Sequence, residues 1–254
     1  MSAANERDDA VRDIVLLRGW GMTSAAWREL AAQWPASYRV HALDFADGDG
    51  SDMRGDALSA FAESVAARAP TRCNVVGWSL GAQVALRWAL RRPAQVHRLA
   101  VIAATPCFVA REGWASAMPP AVFEAFADLV RTDPNAALAR FTLLQAQGDE
   151  HMSRVARALR GAVQKTASHA AHVLRDELDV LRRTDLRAGL TQVAQRVCVL
   201  HGERDGLVPL SAAEYLHHAL PHARLHVMSG AAHAPHVSQP EKVAALITDC
   251  FDER

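Results

Sequence analysis

The chain has 254 residues, half of them hydrophobic, and its 28 Lys and Arg balance 28 Asp and Glu to a formal net charge of zero. Neutrality argues against a nucleic-acid partner, because phosphate neutralisation supplies most of that affinity, and the apolar content exceeds that of a disordered chain. Apolar runs such as Leu99 to Ala104 are far shorter than the roughly 20 residues that span a bilayer, so no membrane partner is expected.

The first ten residues are polar and acidic where a secretory signal needs a basic start and an apolar run, which predicts a cytoplasmic protein. Strands are expected at Ile14–Leu17, Arg39–Leu43, Cys73–Val76 and Arg98–Ala103, alternating with helical patterns as in βαβ units. A helix is expected over Ala82–Leu90, ended by Arg91-Arg92-Pro93. From Thr105 to Gly189 no β-branched run occurs. Helical patterns punctuated by Pro106, Pro119-Pro120, Asp133-Pro134, Gly148 and Gly161 predict a helical insertion over 105–189, with 1–104 and 190–254 as the core around it. Strands resume at Arg196–Leu200 and Ala223–Met228, and Pro240–Phe251 closes the chain as a helix. The fold class is α/β, a mostly parallel sheet flanked by helices.

Cys73, Cys107, Cys198 and Cys250 form no C-x-x-C pair, and buried free thiols are expected. His169/His172 and His217/His218/His222 have metal-like spacings, but no recognisable ligand pattern accompanies them, so no metal is expected. Gly48-Asp-Gly50 is an incomplete G-x-G-x-x-G in the wrong place, so no nucleotide cofactor is expected either. Only Lys165 and Lys242 of the 28 basic residues are lysine.

Gly77-Trp78-Ser79-Leu80-Gly81 matches G-x-S-x-G directly after a strand and before a helix. That context forces a sharp turn with the serine hydroxyl exposed above the strand ends, and Ser79 is the expected nucleophile. A serine hydroxyl needs a base, and the base an orienting acid. Asp205 and His233 follow in the expected order, each just past a strand. Glu203, two residues before Asp205, reads as a solvated loop charge, and His236 as a rim or surface residue. The backbone N–H of Leu80 would face a developing oxyanion, joined by a donor from Leu17-Arg-Gly-Trp-Gly21, where Trp20 would offer its N–H.

Arg18–Gly21, Gly77–Gly81, Thr105-Pro-Cys-Phe108, Phe141–Gln145, Asp205–Pro209 and Ala231–Pro235 together resemble the pimeloyl-[acyl-carrier protein] methyl ester carboxylesterases, within the α/β-hydrolase superfamily. The resemblance runs from about Ile14 over nearly the whole chain. It implies a serine esterase of biotin synthesis that hydrolyses the methyl ester of a pimeloyl chain on acyl carrier protein. Ser79 would be nucleophile, His233 base and acid, Asp205 its orienter, and Trp20 and Leu80 the oxyanion hole. Phe141, Thr142, Leu143, Leu144 and Gln145 would line the acyl pocket.

The family commonly has His-Gly where this chain has Arg18-Gly19. No strand is evident before Ile14, and the Asp44–Gly50 loop lacks the usual proline-glycine pattern. Between Glu150 and Lys165, Val155, Leu159, Ala162 and Val163 fall on one helical face and Arg154, Arg157 and Arg160 opposite. With Arg140 nearby, Arg140, Arg154 and Arg157 would dock an acidic acyl carrier protein. A monomer is expected. Alternatives left open are a general short-chain carboxylesterase, lactonase, thioesterase or carbon–carbon hydrolase on the same fold, and a catalytically silent ligand-binding protein. A haloalkane dehalogenase is disfavoured, since its nucleophile would be Asp.

Overall fold

The computed structural model describes residues 11–44, 56–163 and 168–252. Six parallel strands form one sheet in the order β2-β1-β3-β4-β5-β6, with β1 Asp13–Leu17, β2 Arg39–Leu43, β3 Cys73–Trp78, β4 Val96–Ile102, β5 Val197–Gly202 and β6 Ala223–Met228. Every expected strand is present within two residues of its predicted bounds. The four inner strands are nearly continuous apolar runs because both faces are covered. Val15, Leu17, Val75, Leu99, Val101 and Val199 point into one core, while Ile14, Leu16, Val76, Trp78, Ala100, Ile102 and Leu200 point into the other. The edge strands β2 and β6 are the more exposed, and β6 keeps Arg224 and Val227 at the surface.

The helices, in chain order, are α1 Arg28–Ala31, α2 Ala57–Arg68, α3 Leu80–Arg91, α4 Pro120–Thr132, α5 Pro134–Ala146, α6 Met152–Ala162, α7 Ser168–Arg183, α8 Leu210–Ala219, α9 Pro235–Ser238 and α10 Pro240–Asp252. Two of the four helices between β4 and β5, α4 and α5, start at proline. Pro120 opens α4, and Asp133 caps α5 ahead of Pro134 by accepting from the Ala136 N–H at 2.9 Å. Gly148, at φ +89°, ends the turn after α5. Gly161 lies in the last turn of α6, one residue before its end, with open space at its Cβ position. The α2 and α8 segments are alanine-rich with diffuse polar faces, so periodicity did not single them out. No described helix is long and apolar enough to cross a membrane.

Strand β1 lies inside the sheet, between β2 and β3, so the sheet does not end there. Residues 1–10 and the 45–55 loop, which carries the Gly48–Gly50 pattern and most of the acidic Asp44–Asp56 stretch, lie outside the described residues. The strand order turns back between β1 and β3, and ligands of open α/β sheets bind at the carboxyl ends of the strands at such a point. Gly19-Trp20 leaves β1 there and Ser79 leaves β3.

Arg18, at the end of β1, is 3% exposed and grips Glu177 of α7 with two hydrogen bonds, at 2.6 and 3.2 Å. It also donates to Asp44 at 3.0 Å and to the carbonyl of Gly19. Burial would lower the guanidinium's pKa, but the Glu177 and Asp44 carboxylates raise it instead. Arginine thus anchors the end of β1 to α7 with a bidentate ion pair. Removing one charge of such a pair strands the other without water, at a cost of about 3–5 kcal/mol, whereas removing both does not. Arg18→Met should therefore lower unfolding free energy in urea by about that amount, and the Arg18→Met/Glu177→Leu double variant should recover most of it.

Candidate active site

Ser79 joins β3 to α3 with φ 55° and ψ −115°, a backbone that side chains adopt only under compulsion. The compulsion comes from the close passage of its flanks. A Cβ at Gly77 would stand 2.4 Å from the Gly81 carbonyl oxygen, and one at Gly81 would stand 2.1 Å from the Leu17 oxygen. The Ser79 N–H is tied to the Ile102 carbonyl at 2.9 Å. The turn lifts Oγ above the sheet and starts α3 at Leu80, whose N–H, as the first of the helix, has no intrahelical acceptor.

His233 Nε2 lies 3.1 Å from Ser79 Oγ, and its Nδ1 lies 2.8 Å from Asp205 Oδ2. The other Asp205 oxygen accepts from the Leu207 and Val208 N–H groups at 2.9 and 3.0 Å. Burial would raise the Asp205 carboxyl, yet the charge and hydrogen bond of His233, with His201 and the Val208 N–H, hold it below the usual carboxylate range. An ionised Asp205 fixes the tautomer in which His233 donates from Nδ1 and accepts the serine proton at Nε2. Ser79, Asp205 and His233 are thus brought together as the spacing predicted.

The histidine loop is held from three directions. Trp78 donates its indole N–H to the His233 carbonyl at 2.8 Å, and the His233 N–H donates to the Gln145 carbonyl at 3.2 Å. Asp149, buried after α5, accepts from the Ala232 N–H at 2.9 Å and from Ser238 Oγ and the His151 N–H at 2.8 Å. Sequence reasoning passed over Asp149, since an acid at a helix end carries no motif.

The Trp20 backbone N–H, in the turn after β1, has no backbone acceptor among the described residues. Its indole N–H is committed to the Leu174 carbonyl of α7 at 2.9 Å, so only the main-chain donor is available to an oxyanion. Gly21, at φ +68°, makes the turn that follows. Beside Trp20 a cavity of about 350 Å³ is walled by Phe108, Phe123, Phe126, Phe141, Leu144 and Leu178, with Arg140 on its lining.

Of the five residues expected to line it, Phe141 and Leu144 do. Thr142, Leu143 and Gln145 do not, because α5 turns only one side, at i and i+3, toward the cavity. Thr142 is fully buried and bonds the Leu138 carbonyl at 2.8 Å, Leu143 is 47% exposed, and Gln145 is buried against the histidine loop. Phe108 reaches the cavity because Thr105 Oγ1 bonds the Cys107 carbonyl at 2.8 Å and tightens the turn after β4. Phe123, Phe126 and Leu178 come from α4 and α7, whose order no local pattern reveals.

Arg140 and Arg157 are exposed. Arg154 departs from expectation: its guanidinium bonds the Ser238 carbonyl and pairs with Glu29 at 3.4 Å, so it braces α6 against α9 and is not a free cation. Glu203 is an exposed loop charge, as expected, and accepts from Ser229 Oγ and the Gly230 N–H at 2.9 and 3.1 Å. His172 pairs with Asp176 at 2.9 Å, and His218 Nδ1 contacts the Glu214 carbonyl at 2.6 Å.

His236 is no rim residue. It is 0% exposed, with its ring centre 4.6 Å from those of Trp27 and Trp78, and neither ring nitrogen has a partner among the described residues. Proline at the first position of α9 turns the chain back into the core, which the three-residue spacing from His233 could not reveal.

An elbow serine, a relayed histidine and a carboxylate at the strand ends define a serine hydrolase site. Residues 14–246 match the profile of the "Alpha/beta hydrolase family", and the chain belongs to that family. Its relatives include the pimeloyl-[acyl-carrier protein] methyl ester esterase of Nitrosomonas europaea, 37% identical over 94% of each chain. Another is the esterase of the same name from Aromatoleum aromaticum, 39% identical over 93% of this chain and 97% of its own. Among solved structures, an esterase from Exiguobacterium antarcticum superposes with a TM-score of 0.81 at 21% identity, covering 96% of this chain and 93% of that one. A bromoperoxidase from Bacillus anthracis does so with a TM-score of 0.81 at 17% identity, covering 96% and 92%. At those identities the likeness is one of fold.

Burial holds His236 neutral, with its pKa lowered to about 3, and the nearby His233 adds to the effect. An unfolded histidine takes a proton near pH 6.5, so between that pH and about 3 the unfolded state binds the extra proton and stability falls as pH falls. Urea unfolding from pH 7 to pH 4.5 should show a steeper loss in the parent than in His236→Leu, by up to about 1.4 kcal/mol per pH unit.

Proposed function

We propose that the chain is a serine carboxylesterase that removes the methyl ester from a pimeloyl chain carried on acyl carrier protein, acting in biotin synthesis as a cytoplasmic monomer. The observation that carries this reading is the Ser79–His233–Asp205 relay together with an apolar cavity lined by Trp20 and by Leu207, whose N–H bonds Asp205, with one cation, Arg140, on its lining. The names of the relatives supply the substrate. Residues 105–189 act as a cap on the core formed by 1–104 and 190–254.

Ser79 Oγ attacks the ester carbonyl as His233 Nε2 takes its proton, and the Leu80 and Trp20 N–H groups receive the oxyanion. One such donor is worth about 3–4 kcal/mol of transition-state stabilisation. His233 then protonates the methoxide oxygen as its bond to the carbonyl carbon breaks, and methanol leaves. Water enters, gives a proton to His233 and attacks the acyl-enzyme, and the proton returns to Ser79 as the acid leaves. The aromatic walls accept methylenes without demanding hydrogen bonds, and they disfavour the carboxylate that hydrolysis creates, which drives product out. Arg140 and the exposed Arg157 face the acidic carrier, with Arg154 left out by its internal pairing.

Ser79→Ala should abolish turnover of methyl pimeloyl-carrier and labelling by a fluorophosphonate while leaving circular dichroism unchanged. Persistent turnover would end the proposal, and failure of the parent to label would favour a silent binding protein. Arg157→Glu should raise KM for the carrier-linked ester about fivefold or more at low salt and leave a small soluble ester unaffected. Equal effects on both would remove the docking role. Rescue of a biotin-requiring strain that lacks its esterase separates this reading from a general carboxylesterase.

A further inference from the structure

Three side chains far apart in sequence meet at the end of the sheet away from the relay. Cys198 lies near the start of β5, at the opposite end of that strand from the Asp205 loop. His226 is on the edge strand β6, and Cys250 is in the last turns of α10, which packs over the same face. Residue 224 is the register partner of Cys198 and residue 226 that of Leu200, so Cys198 and His226 are diagonal neighbours on one side of the sheet. The two sulfurs and an imidazole nitrogen lie within 4.8 Å of one another, with Cys250 Sγ 3.8 Å from His226 Nε2.

Tetrahedral zinc with bonds of about 2.3 Å to sulfur and 2.0 Å to nitrogen needs ligand atoms about 3.5–3.8 Å apart. The Cys250–His226 pair already meets that span, and the rest require a contraction of at most about 1.3 Å. Cys198 is 1% exposed while His226 and Cys250 are half-buried, so the cluster is anchored inside and open outside. A cleft of about 470 Å³ reaches Cys198 and Cys250 and is also lined by His222, Arg196 and Arg224. It supplies an entry path and room for a fourth ligand, either water or His222.

We infer that Cys198, His226 and Cys250 form a site for a zinc-class divalent cation, which clamps α10 to β5 and β6. On binding, each thiol gives its proton to solvent and the imidazole coordinates neutral, so two thiolates cancel the charge of the ion and no net charge is carried to the sheet edge. The ion is structural, standing at the opposite end of β5 from Asp205. Ligands spaced 28 and 24 residues apart on two strands and a helix make no sequence motif, which is why the expectation of no metal arose from spacing alone.

The test uses the full-length reduced protein and cobalt(II), a visible reporter of tetrahedral thiolate sites. One equivalent should bring intense ligand-field bands and a sulfur-to-metal charge-transfer band, release two protons, and be displaced by zinc. Zinc should raise the Tm of the parent. Cys250→Ser and His226→Gln should each weaken binding about tenfold or more and cancel the Tm gain, with hydrolysis of a small soluble ester unchanged. The inference is overturned by the absence of saturable binding, by cobalt bands without sulfur charge transfer, as surface histidines would give, or by binding unaltered in both variants. Finding Cys198 and Cys250 joined as a disulfide in freshly purified protein would overturn it too.

Discussion

The elbow at Ser79 is the constraint around which the rest of the molecule is arranged. A serine held at φ 55° is affordable only because β3 and α3 pass so closely that the chain has no other route, and that passage tolerates nothing larger than glycine at 77 and 81. The same contact brings Gly81 against the Leu17 and Arg18 carbonyls, so the end of β1 and the start of α3 are fixed relative to each other. Ser79 and the proposed oxyanion donors are therefore set by one packing event, and strain at the serine is balanced by the buried sheet on either side.

The second level of organisation joins the strand ends to the helices between β4 and β5. Arg18 holds Glu177, and the Trp20 indole holds the Leu174 carbonyl, so the loop after β1 is tied to α7 at two points. On the other side Gln145 and Asp149 hold the loop that carries His233. Both halves of the candidate site thus depend on the helical segment for their geometry as well as for the walls of the cavity. Rigid support of this kind matters because a small displacement of a relay member reduces catalysis severely.

Polarity is graded across the histidines. His233 keeps Asp205 on one nitrogen and Ser79 on the other, while His201 and His236 are buried and neutral, and burial lowers the pKa of both. Trp78 packs against both His233 and His236, with ring centres 6.0 and 4.6 Å away.

The strands, the elbow and the order of Ser79, Asp205 and His233 were legible in the sequence because each is a local consequence of residue type. Apolar runs make buried strands, glycine makes close turns, and a strand followed by a polar loop presents its side chains at one edge. Other features depended on which surfaces meet, and only the tertiary structure decided them. It turned Thr142, Leu143 and Gln145 away from the cavity, drew Phe123, Phe126 and Leu178 in from distant helices, folded His236 into the core, and set Arg154 to an internal task. It also gave Arg18 a partner 159 residues away and gathered Cys198, His226 and Cys250 across the sheet edge. Local chemistry is written in neighbouring residues, whereas burial and long-range pairing are properties of the packed whole.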